Sequence, residues 1–240
     1  MIEGILLDLD NTLYDYQKAH EPAITAAIAY LAGVLEKDAG TIEGDYFACR
    51  QNINRSLSGL ASSHSRLLYF QGVCERYNRL PCESAAMAED VYWKTFFDHM
   101  TLRDGAVHFL ATVNKLQIPV CIVTDLTARI QFEKVNKLGL ADYVYAIVTS
   151  EECGHEKPHP AMFELGAAKL NLAFSSLCMI GDSFERDIEG ATALGIKCFW
   201  YGEMLESALV QTPRLDSESV VRFSQFAVLT ELIEGVGVSG

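Results

Sequence analysis

Five short apolar runs, spread along a chain of 240 residues, limit what this sequence can fold into. They span residues 5–9, 119–124, 145–149, 177–181 and 197–201. The runs are rich in Ile, Val and Leu and lack strict alternation, which is typical of strands covered on both faces. Segments of helical length, residues 127–138, 160–170 and 186–194, separate the last four runs. This alternation of strand and helix predicts an α/β fold with a parallel sheet.

The segment between the first and second runs breaks the alternation. Residues 16–101 contain no convincing strand, and Leu67, Phe70, Cys74 and Tyr77 fall three and four apart, on one face of a helix. A stretch of this length cannot be a loop inside a compact domain. We therefore expect an inserted all-helical domain of about four helices. The core resumes near residue 102, where Asp104 is expected to cap the next helix.

Composition excludes several kinds of partner. The formal net charge of −13 argues against a nucleic-acid backbone or an anionic membrane. No apolar run approaches the roughly 20 residues that a membrane-spanning helix needs, and the N-terminus does not resemble a signal peptide. The seven cysteines are scattered, which is typical of free thiols in a reducing cytosol. We expect a cytoplasmic protein, and its oligomeric state stays open.

Polar clusters follow or end four of the apolar runs. They read LLDLDNTL from residue 6, VTDLT from residue 123, GHEKPHP from residue 154 and GDSFERD from residue 181. In a parallel sheet these clusters would meet at the carboxyl edge of the strands, where ligands bind. Asp8, Asp10, Asp182 and Asp187 would then converge, and carboxylates held close together need a cation. Oxygen ligands suit Mg²⁺, so the sequence predicts a magnesium site at this edge.

The same edge is expected to offer groups that bind an anion. Lys157 is the single lysine expected there, and Pro158 biases its backbone toward an extended conformation. Thr124 ends its run with a hydroxyl that can donate to an anionic oxygen. When a metal and a lysine screen the charge, one carboxylate can attack phosphorus and a second, two residues away, can transfer protons. These parts predict a phosphoryl-transfer site.

In their order and apolar context, the four clusters resemble the four motifs of the haloacid dehalogenase superfamily, in its phosphatase branch. The runs TSEECGHEKPHPAMFELGAAKLN and MIGDSFERDIEGA are similar to those of 5′-nucleotidase and sugar-phosphatase members. The resemblance covers essentially the whole chain. It implies a Rossmann-like core, a parallel sheet with helices on both faces, made of residues 1–15 and 102–240. It also implies a helical cap domain at residues 16–101. Asn11 departs from the glycine or acidic residue of many members, but asparagine tolerates unusual backbone angles.

Carried over by position, the resemblance implies roles for the acids. Asp8 would be the nucleophile and Asp10 the general acid and base. Asp8, the backbone carbonyl of Asp10, and Asp182 would bind Mg²⁺, and Asp187 would act beside them or through a metal-bound water.

The resemblance also implies how the phosphate group is held. Thr124 and Lys157 would bind the phosphoryl oxygens, with backbone amides near Leu9, Asp10 and Asp125. The implied enzyme is a Mg²⁺-dependent phosphomonoesterase that forms an aspartyl-phosphate. Its implied substrate is a small phosphorylated metabolite, a nucleoside monophosphate or a sugar phosphate.

Three alternatives stay open. A 2-haloacid dehalogenase uses a carboxylate nucleophile on the same fold, but those members lack the second acid, which is Asp10 here. A phosphomutase would return the phosphoryl group to a second hydroxyl of the sugar. A binding protein would keep the fold without turnover, although such proteins usually lose an acid or the lysine, and this chain has lost neither.

Several polar residues carry no assigned role. His155 and His159 lack Cys or His partners at metal-binding spacing, so we expect polar loop residues. The insertion contains Arg50, Arg55, Arg66 and Tyr69, which stay unassigned between recognition of the leaving group and a packing or surface role.

Overall fold

The structure is a computed structural model that describes residues 2–202 and 220–237. The chain divides into two compact units: Met1–Tyr14 with Leu102–Gly240, and Asp15–Thr101. The helices, in chain order, are α1 (Tyr16–Leu35), α2 (Ala39–Ser56), α3 (Arg66–Arg76), α4 (Pro81–His99), α5 (Ala106–Lys115), α6 (Ala128–Lys137), α7 (Ser150–Cys153), α8 (Pro160–Leu170), α9 (Gly190–Thr192) and α10 (Phe226–Gly237). None of the described helices combines the length and apolar character needed to cross a membrane.

The first unit is built on a parallel sheet. In the described residues its six strands are β1 (Gly4–Leu7), β2 (Val120–Thr124), β3 (Ala146–Thr149), β4 (Leu177–Gly181), β5 (Lys197–Tyr201) and β6 (Val220–Phe223). Their order is β3-β2-β1-β4-β5-β6, and all neighbouring pairs are parallel. The predicted α/β fold is confirmed, with β6 as a strand that the sequence did not indicate. Because β1 lies between β2 and β4, the residues that follow these three strands share one edge.

Both faces of the sheet are buried, which explains the continuous apolar runs. Leu6 of β1 and Val123 of β2 pack in one cluster with Met162 and Phe163 of α8. Neighbouring residues of a strand point to opposite faces, yet Ile5, Leu7 and Ile122 are also fully buried. Such strands cannot show the alternation of a half-exposed sheet.

Two helix starts differ from the sequence prediction. The helix expected over residues 186–194 begins earlier, as a π-helix at Phe184–Glu189 that runs into α9. Asp104 does not cap α5, so that prediction is wrong: the N-cap is Gly105, and no side chain caps this end. Gly105 has φ +80°, and a Cβ there would lie 3.3 Å from Cβ of Phe226. The positive φ angle and the close approach of α10 therefore both favour glycine at this position.

The chain leaves the first unit after Tyr14 and re-enters it at Leu102. These two residues form an isolated antiparallel bridge, and the Arg103 amide donates to the Leu13 carbonyl at 2.9 Å. The Arg103 guanidinium also donates to the Asn11 carbonyl through Nη2 at 2.8 Å and through Nε at 3.1 Å. The exit and re-entry points are thus fastened to each other within the first unit.

The second unit is helical throughout and contains α1 to α4, with a 3-10 turn at Ala61–His64. Helix α1 starts at Tyr16, because Asp15 caps it by accepting from the amides of Gln17 and Lys18. Aromatic side chains fill its interior, with Tyr92 of α4 between Phe70 and Phe96. The assignment of this unit as a cap domain stays a prediction.

Candidate active site

Three acids meet at the carboxyl edge of the sheet. Asp8 directly follows β1, Asp182 directly follows β4, and Asp187 lies in the π-helix that starts two residues later. Each places a carboxylate oxygen within 4.8 Å of the others. Asp8 and Asp187 are buried and Asp182 is half-buried. Asp8 lies near Asp182 and Asp187, although they are far apart in the chain, because β1 and β4 are adjacent parallel strands.

Lys157 joins two of these acids. Its Nζ donates to Asp8 Oδ1 and to Asp187 Oδ1, both at 2.6 Å. The lysine is 5% exposed, so this is a buried ion-pair network. Its backbone amide donates to Asp125 Oδ1 at 3.0 Å, which fixes the loop that carries it. The predicted place of Lys157 among the acids is where the structure puts it, while its role stays a prediction.

The charges in this cluster do not balance. Burial raises the pKa of Asp8 well above its ordinary value; Lys157 opposes that shift, whereas Asp187 and Asp182 add to it. Burial, reinforced by Asp187, raises the pKa of Asp182 to about 6. Burial alone would lower the pKa of Lys157, but Asp187 and Asp8 raise it above the ordinary value, so the lysine stays cationic. One cation faces three acids, and a further cation would relieve their repulsion.

The oxygen donors suit a hard divalent cation. Carboxylate oxygens are the ligands that Mg²⁺ prefers, and no cysteine or histidine belongs to the three-acid group. Asp8, Asp182 and Asp187 could therefore hold a metal ion. Asp10 does not contribute its side chain to this group, so its predicted metal contact could come only from the backbone carbonyl.

Short polar residues hold the acids in place, and the sequence prediction missed them. The Thr12 hydroxyl lies 2.7 Å from Asp8 Oδ2 and 3.3 Å from Asp182 Oδ1. The Ser183 amide donates to Asp187 Oδ2 at 3.0 Å. Gly181 is required beside Asp187, because a Cβ there would lie 2.4 Å from Asp187 Cγ. The only sequence clue to these roles is their position inside the first and fourth clusters.

Asp10 belongs to a second ion pair, separate from that of Asp8. Lys134 Nζ lies 2.7 Å and 2.9 Å from the two carboxylate oxygens of Asp10, and Gln131 Nε2 lies 3.1 Å from one of them. The Tyr14 hydroxyl also donates to this carboxylate. Burial alone would raise the pKa of Asp10. The combined effect of Lys134, Tyr14 and Gln131 is larger and opposite, so the pKa lies below its ordinary value. Asp10 is thus held as a carboxylate.

The prediction of a single lysine at this edge is therefore wrong. Gln131 and Lys134 are three residues apart on α6, so they share one helix face. Both are buried, and so is Val135, whereas Ile130 and Leu138 are half-buried. Polar residues turn inward here because the half-buried carboxylate of Asp10 offers them a hydrogen-bond partner.

Thr124 and Asp125 connect the two ion pairs. Gln131 Nε2 lies 2.7 Å from Thr124 Oγ1 and 2.5 Å from the Asp125 carbonyl. Thr124 accepts this bond, and its own hydroxyl donates to the Asp125 carbonyl at 3.4 Å. The Asp125 carboxylate accepts from the Lys157 amide and, at 3.2 Å, from Arg186 Nη1. The two predicted phosphate-binding residues on β2 and its loop therefore lie beside the predicted catalytic acids, and the roles of all of them stay predictions.

The two histidines of the third cluster lie with their rings stacked, 3.7 Å between centroids. His159 is the N-cap of α8, where its Nδ1 accepts from the Ala161 amide at 3.2 Å. This capping contact agrees with the expectation of a polar loop.

The model of the haloacid dehalogenase-like hydrolase family matches residues 2–195, most of the chain. The protein belongs to this family. The resemblance drawn from the four clusters is confirmed.

Curated relatives narrow the class of reaction. The chain is 36% identical over 209 residues to a ribulose-1,5-bisphosphate 5-phosphatase of Halopiger xanaduensis, covering 86% of this chain and 87% of that protein. It is 29% identical over 198 residues to a glyceraldehyde 3-phosphate phosphatase of Methanopyrus kandleri, covering 82% of each. It is 27% identical to the human N-acylneuraminate-9-phosphatase, covering 82% and 80%. All three are phosphatases, and the predicted enzyme class, a phosphoric monoester hydrolase, is confirmed.

Solved structures share the fold. A phosphatase of this superfamily from Thermococcus onnurineus has a TM-score of 0.73 with 16% identity, covering 98% of this chain and 99% of that one. A 2-haloacid dehalogenase from Pseudomonas syringae has the same TM-score with 21% identity and coverage of 98% and 100%. At such identities the likeness shows the fold alone and does not choose between hydrolysis of phosphate esters and of carbon–halogen bonds.

Proposed function

We propose that the protein is a Mg²⁺-dependent phosphomonoesterase that hydrolyses a small phosphorylated metabolite through a phosphorylated Asp8. The observation that carries the proposal is the position of Lys157, which bridges Asp8 and Asp187 at 2.6 Å while Asp182 lies within 4.8 Å of both. This arrangement surrounds one carboxylate with the charges that a phosphate ester needs in order to approach it.

Asp8, Asp182 and Asp187 would hold the metal, together with the backbone carbonyl of Asp10. When bound, Mg²⁺ would offset the charge of the acids and of the phosphate group. The chain's own cation, Lys157, would share that task through its contacts with Asp8 and Asp187. Thr124 and the amides near Leu9, Asp10 and Asp125 would orient the phosphoryl oxygens.

In the first step one Asp8 oxygen attacks phosphorus, and the bond from phosphorus to the ester oxygen breaks. Asp10 gives its proton to the departing alkoxide, so the products are the free alcohol and the aspartyl-phosphate. Asp10 must be protonated for this step, whereas its contact with Lys134 favours the carboxylate. We therefore propose that the binding of the ester loosens this contact.

In the second step the carboxylate of Asp10 takes a proton from water, whose oxygen attacks phosphorus. The bond between Asp8 and phosphorus breaks, which releases inorganic phosphate and restores the Asp8 carboxylate. The ion pair with Lys134 supports this step, because it stabilises the form of Asp10 that accepts the proton.

The relatives support a sugar phosphate as the substrate. The ribulose-1,5-bisphosphate 5-phosphatase and the glyceraldehyde 3-phosphate phosphatase act on phosphorylated sugars, and the first matches at 36% identity over most of both chains. We propose a sugar phosphate, including a bisphosphate, ahead of a nucleoside monophosphate. The predicted cytoplasmic location is supported by the seven cysteines, all of which are free.

The test is phosphate release from a panel of sugar phosphates, sugar bisphosphates, nucleoside monophosphates and an aryl phosphate, with Mg²⁺ and with EDTA. We expect turnover with Mg²⁺ only, and its loss in Asp8→Asn although circular dichroism shows the fold intact. Wild-type activity in that variant would refute the assignment of the nucleophile. Release of halide from a 2-haloacid, or transfer of phosphate to a second sugar hydroxyl without release, would favour the other two reactions of this fold.

A further inference from the structure

One buried amide side chain connects two loops at the carboxyl edge of the sheet. Gln131 of α6 is 0% exposed. Its Nε2 lies 3.1 Å from Asp10 Oδ2, in the loop after β1, and 2.7 Å from Thr124 Oγ1, at the end of β2. It also lies 2.5 Å from the Asp125 carbonyl oxygen. All four residues belong to the first unit, so the whole link lies within one compact body.

The chemistry of these partners fixes which end of the amide faces them. The Asp10 carboxylate and the Asp125 carbonyl have no hydrogen to give, so each can only accept. A half-turn of the amide would bring Gln131 Oε1 against both oxygens and deprive them of this donor. The observed orientation leaves Oε1 buried and, among the described residues, without a hydrogen-bond partner. A buried acceptor without a partner costs free energy, so the contacts of Nε2 must outweigh that cost.

The same contacts determine what the Thr124 hydroxyl can do. It donates to the Asp125 carbonyl at 3.4 Å, which is long for a hydrogen bond between two oxygens. Gln131 Nε2 reaches that carbonyl at 2.5 Å and therefore already supplies it with a donor. The Thr124 proton can then move to a stronger acceptor, such as a phosphoryl oxygen, while the carbonyl keeps a partner. Without the Gln131 amide, this move would cost the carbonyl a hydrogen bond.

We propose that Gln131 is a positioning residue, which frees the Thr124 hydroxyl for a phosphoryl oxygen and holds Asp10 beside it. The inference rests on the proposed function, in which Thr124 binds the phosphate group and Asp10 transfers protons. Gln131 acts through these two residues and needs no contact of its own with the substrate. Because one amide serves both residues, its loss is expected to weaken phosphate binding and to slow proton transfer.

A binding experiment tests the link to Thr124 without turnover. Inorganic phosphate is titrated into the full-length protein with Mg²⁺, and the heat of binding is measured by calorimetry. Gln131→Met keeps the length of the side chain and removes its N–H donors, so we expect Kd to rise about tenfold. In the Thr124→Ala background the same change should raise Kd less than about twofold, because the hydroxyl that Gln131 directs is gone. Lys137→Met, at an exposed lysine of α6, should leave Kd unchanged.

Two outcomes of the titration would overturn the proposal. One is an unchanged Kd in Gln131→Met, and the other is an equal loss in both backgrounds, because Gln131 would then act independently of Thr124. Gln131→Glu separates donation from packing, since it keeps the size of the side chain but has no N–H group. We expect Gln131→Glu to bind phosphate at least as weakly as Gln131→Met, and wild-type affinity would contradict the proposal. If circular dichroism shows that Gln131→Met does not fold, Gln131→Glu decides by the same measure.

Steady-state kinetics with para-nitrophenyl phosphate test the link to Asp10. In Gln131→Met we expect kcat to fall about tenfold while KM rises, because Asp10 takes the proton of the attacking water in the second step. A raised KM with an unchanged kcat would overturn the part of the proposal that concerns Asp10. Lys137→Met should keep both constants. Absence of turnover in the wild type, together with the expected pattern of phosphate binding, would contradict the proposed function but not the positioning of Thr124.

Discussion

Removing the charge of Asp182 should stabilise the metal-free protein, even though it should damage the proposed function. Asp182 lies with Asp8 and Asp187 in a cluster that has one lysine for three acids. Asp182→Asn keeps the shape of the side chain and an oxygen that can accept from Thr12, so the change removes mainly the charge. Active sites that gather like charges often lower the stability of the protein that carries them.

The magnitude follows from the pKa of Asp182, which is raised from 3.8 to about 6. One pKa unit corresponds to about 1.4 kcal/mol, so the full difference corresponds to about 3 kcal/mol. Because Asp182 is half-buried and water screens part of the repulsion, we expect about 1–2 kcal/mol. In a chain of this length that amounts to a rise in Tm of about 2–8 °C.

The pH dependence fixes the sign. The folded-state pKa of Asp182 lies above its unfolded value, so between about pH 4 and pH 6 the folded state binds more protons. The free energy of unfolding therefore falls as the pH rises through this range, and the full penalty is present above it. Asp182→Asn removes the penalty at pH 7 and makes no difference below about pH 4, where both residues are uncharged.

The assay is urea and thermal unfolding, followed by circular dichroism in EDTA, at pH 7 and at pH 4. Asp104→Asn, at an exposed acid of the same unit, is the matched control and should change the Tm by less than a degree or so, about the size of a surface substitution. With saturating Mg²⁺ the wild type should become more stable than Asp182→Asn, because the wild type gains the free energy of metal binding. A variant that is less stable than the wild type at pH 7 in EDTA would refute the reasoning. A gain of equal size at pH 4 would also refute it.

Three further predictions concern neighbouring contacts. Lys134→Met removes the ion pair of Asp10. In steady-state kinetics we expect kcat to fall by about 10–100-fold while KM changes less than threefold. An unchanged kcat would contradict a role for this pair. Lys157→Met leaves buried acids without their cation and should cost about 3–5 kcal/mol in urea unfolding at pH 7, with part of the loss recovered at pH 5; a loss that is the same at both pH values would point to packing instead. Gly181→Ala places a Cβ 2.4 Å from Asp187 Cγ. We expect the free energy of unfolding to fall by about 1–3 kcal/mol and Mg²⁺ binding, measured by calorimetry, to weaken. Normal Mg²⁺ affinity would show that Asp187 can shift without consequence.

The strands and the acid cluster could be predicted because both follow from one regularity. A parallel sheet covered on both faces requires continuous apolar runs, and the polar residues that end those runs must meet at one edge. This regularity predicts that Asp8, Asp182, Asp187 and Lys157 lie together. In the structure the carboxylate oxygens of the three acids lie within 4.8 Å of one another, and Lys157 contacts Asp8 and Asp187.

The second ion pair could not be predicted in the same way. Helix α6 carries polar residues around most of its circumference, so periodicity does not show which face turns inward. Gln131 and Lys134 are buried because they bind Thr124 and Asp10, which lie at the ends of β2 and β1. These contacts depend on the tertiary structure and leave no pattern in the sequence of the helix.

The fastening of Tyr14 to Leu102 and of Leu13 to Arg103 has a consequence for how such a chain can diversify. The first unit itself holds the two ends of the inserted helices together through this bridge and hydrogen bond, so the closure of the loop after β1 does not need any particular insert. A lineage could exchange, shorten or redesign the insert, and so acquire a new metabolite, without rebuilding the machinery that breaks the ester. The reaction and the choice of substrate could then evolve separately, with each new insert joined to the core at the Tyr14–Leu102 bridge.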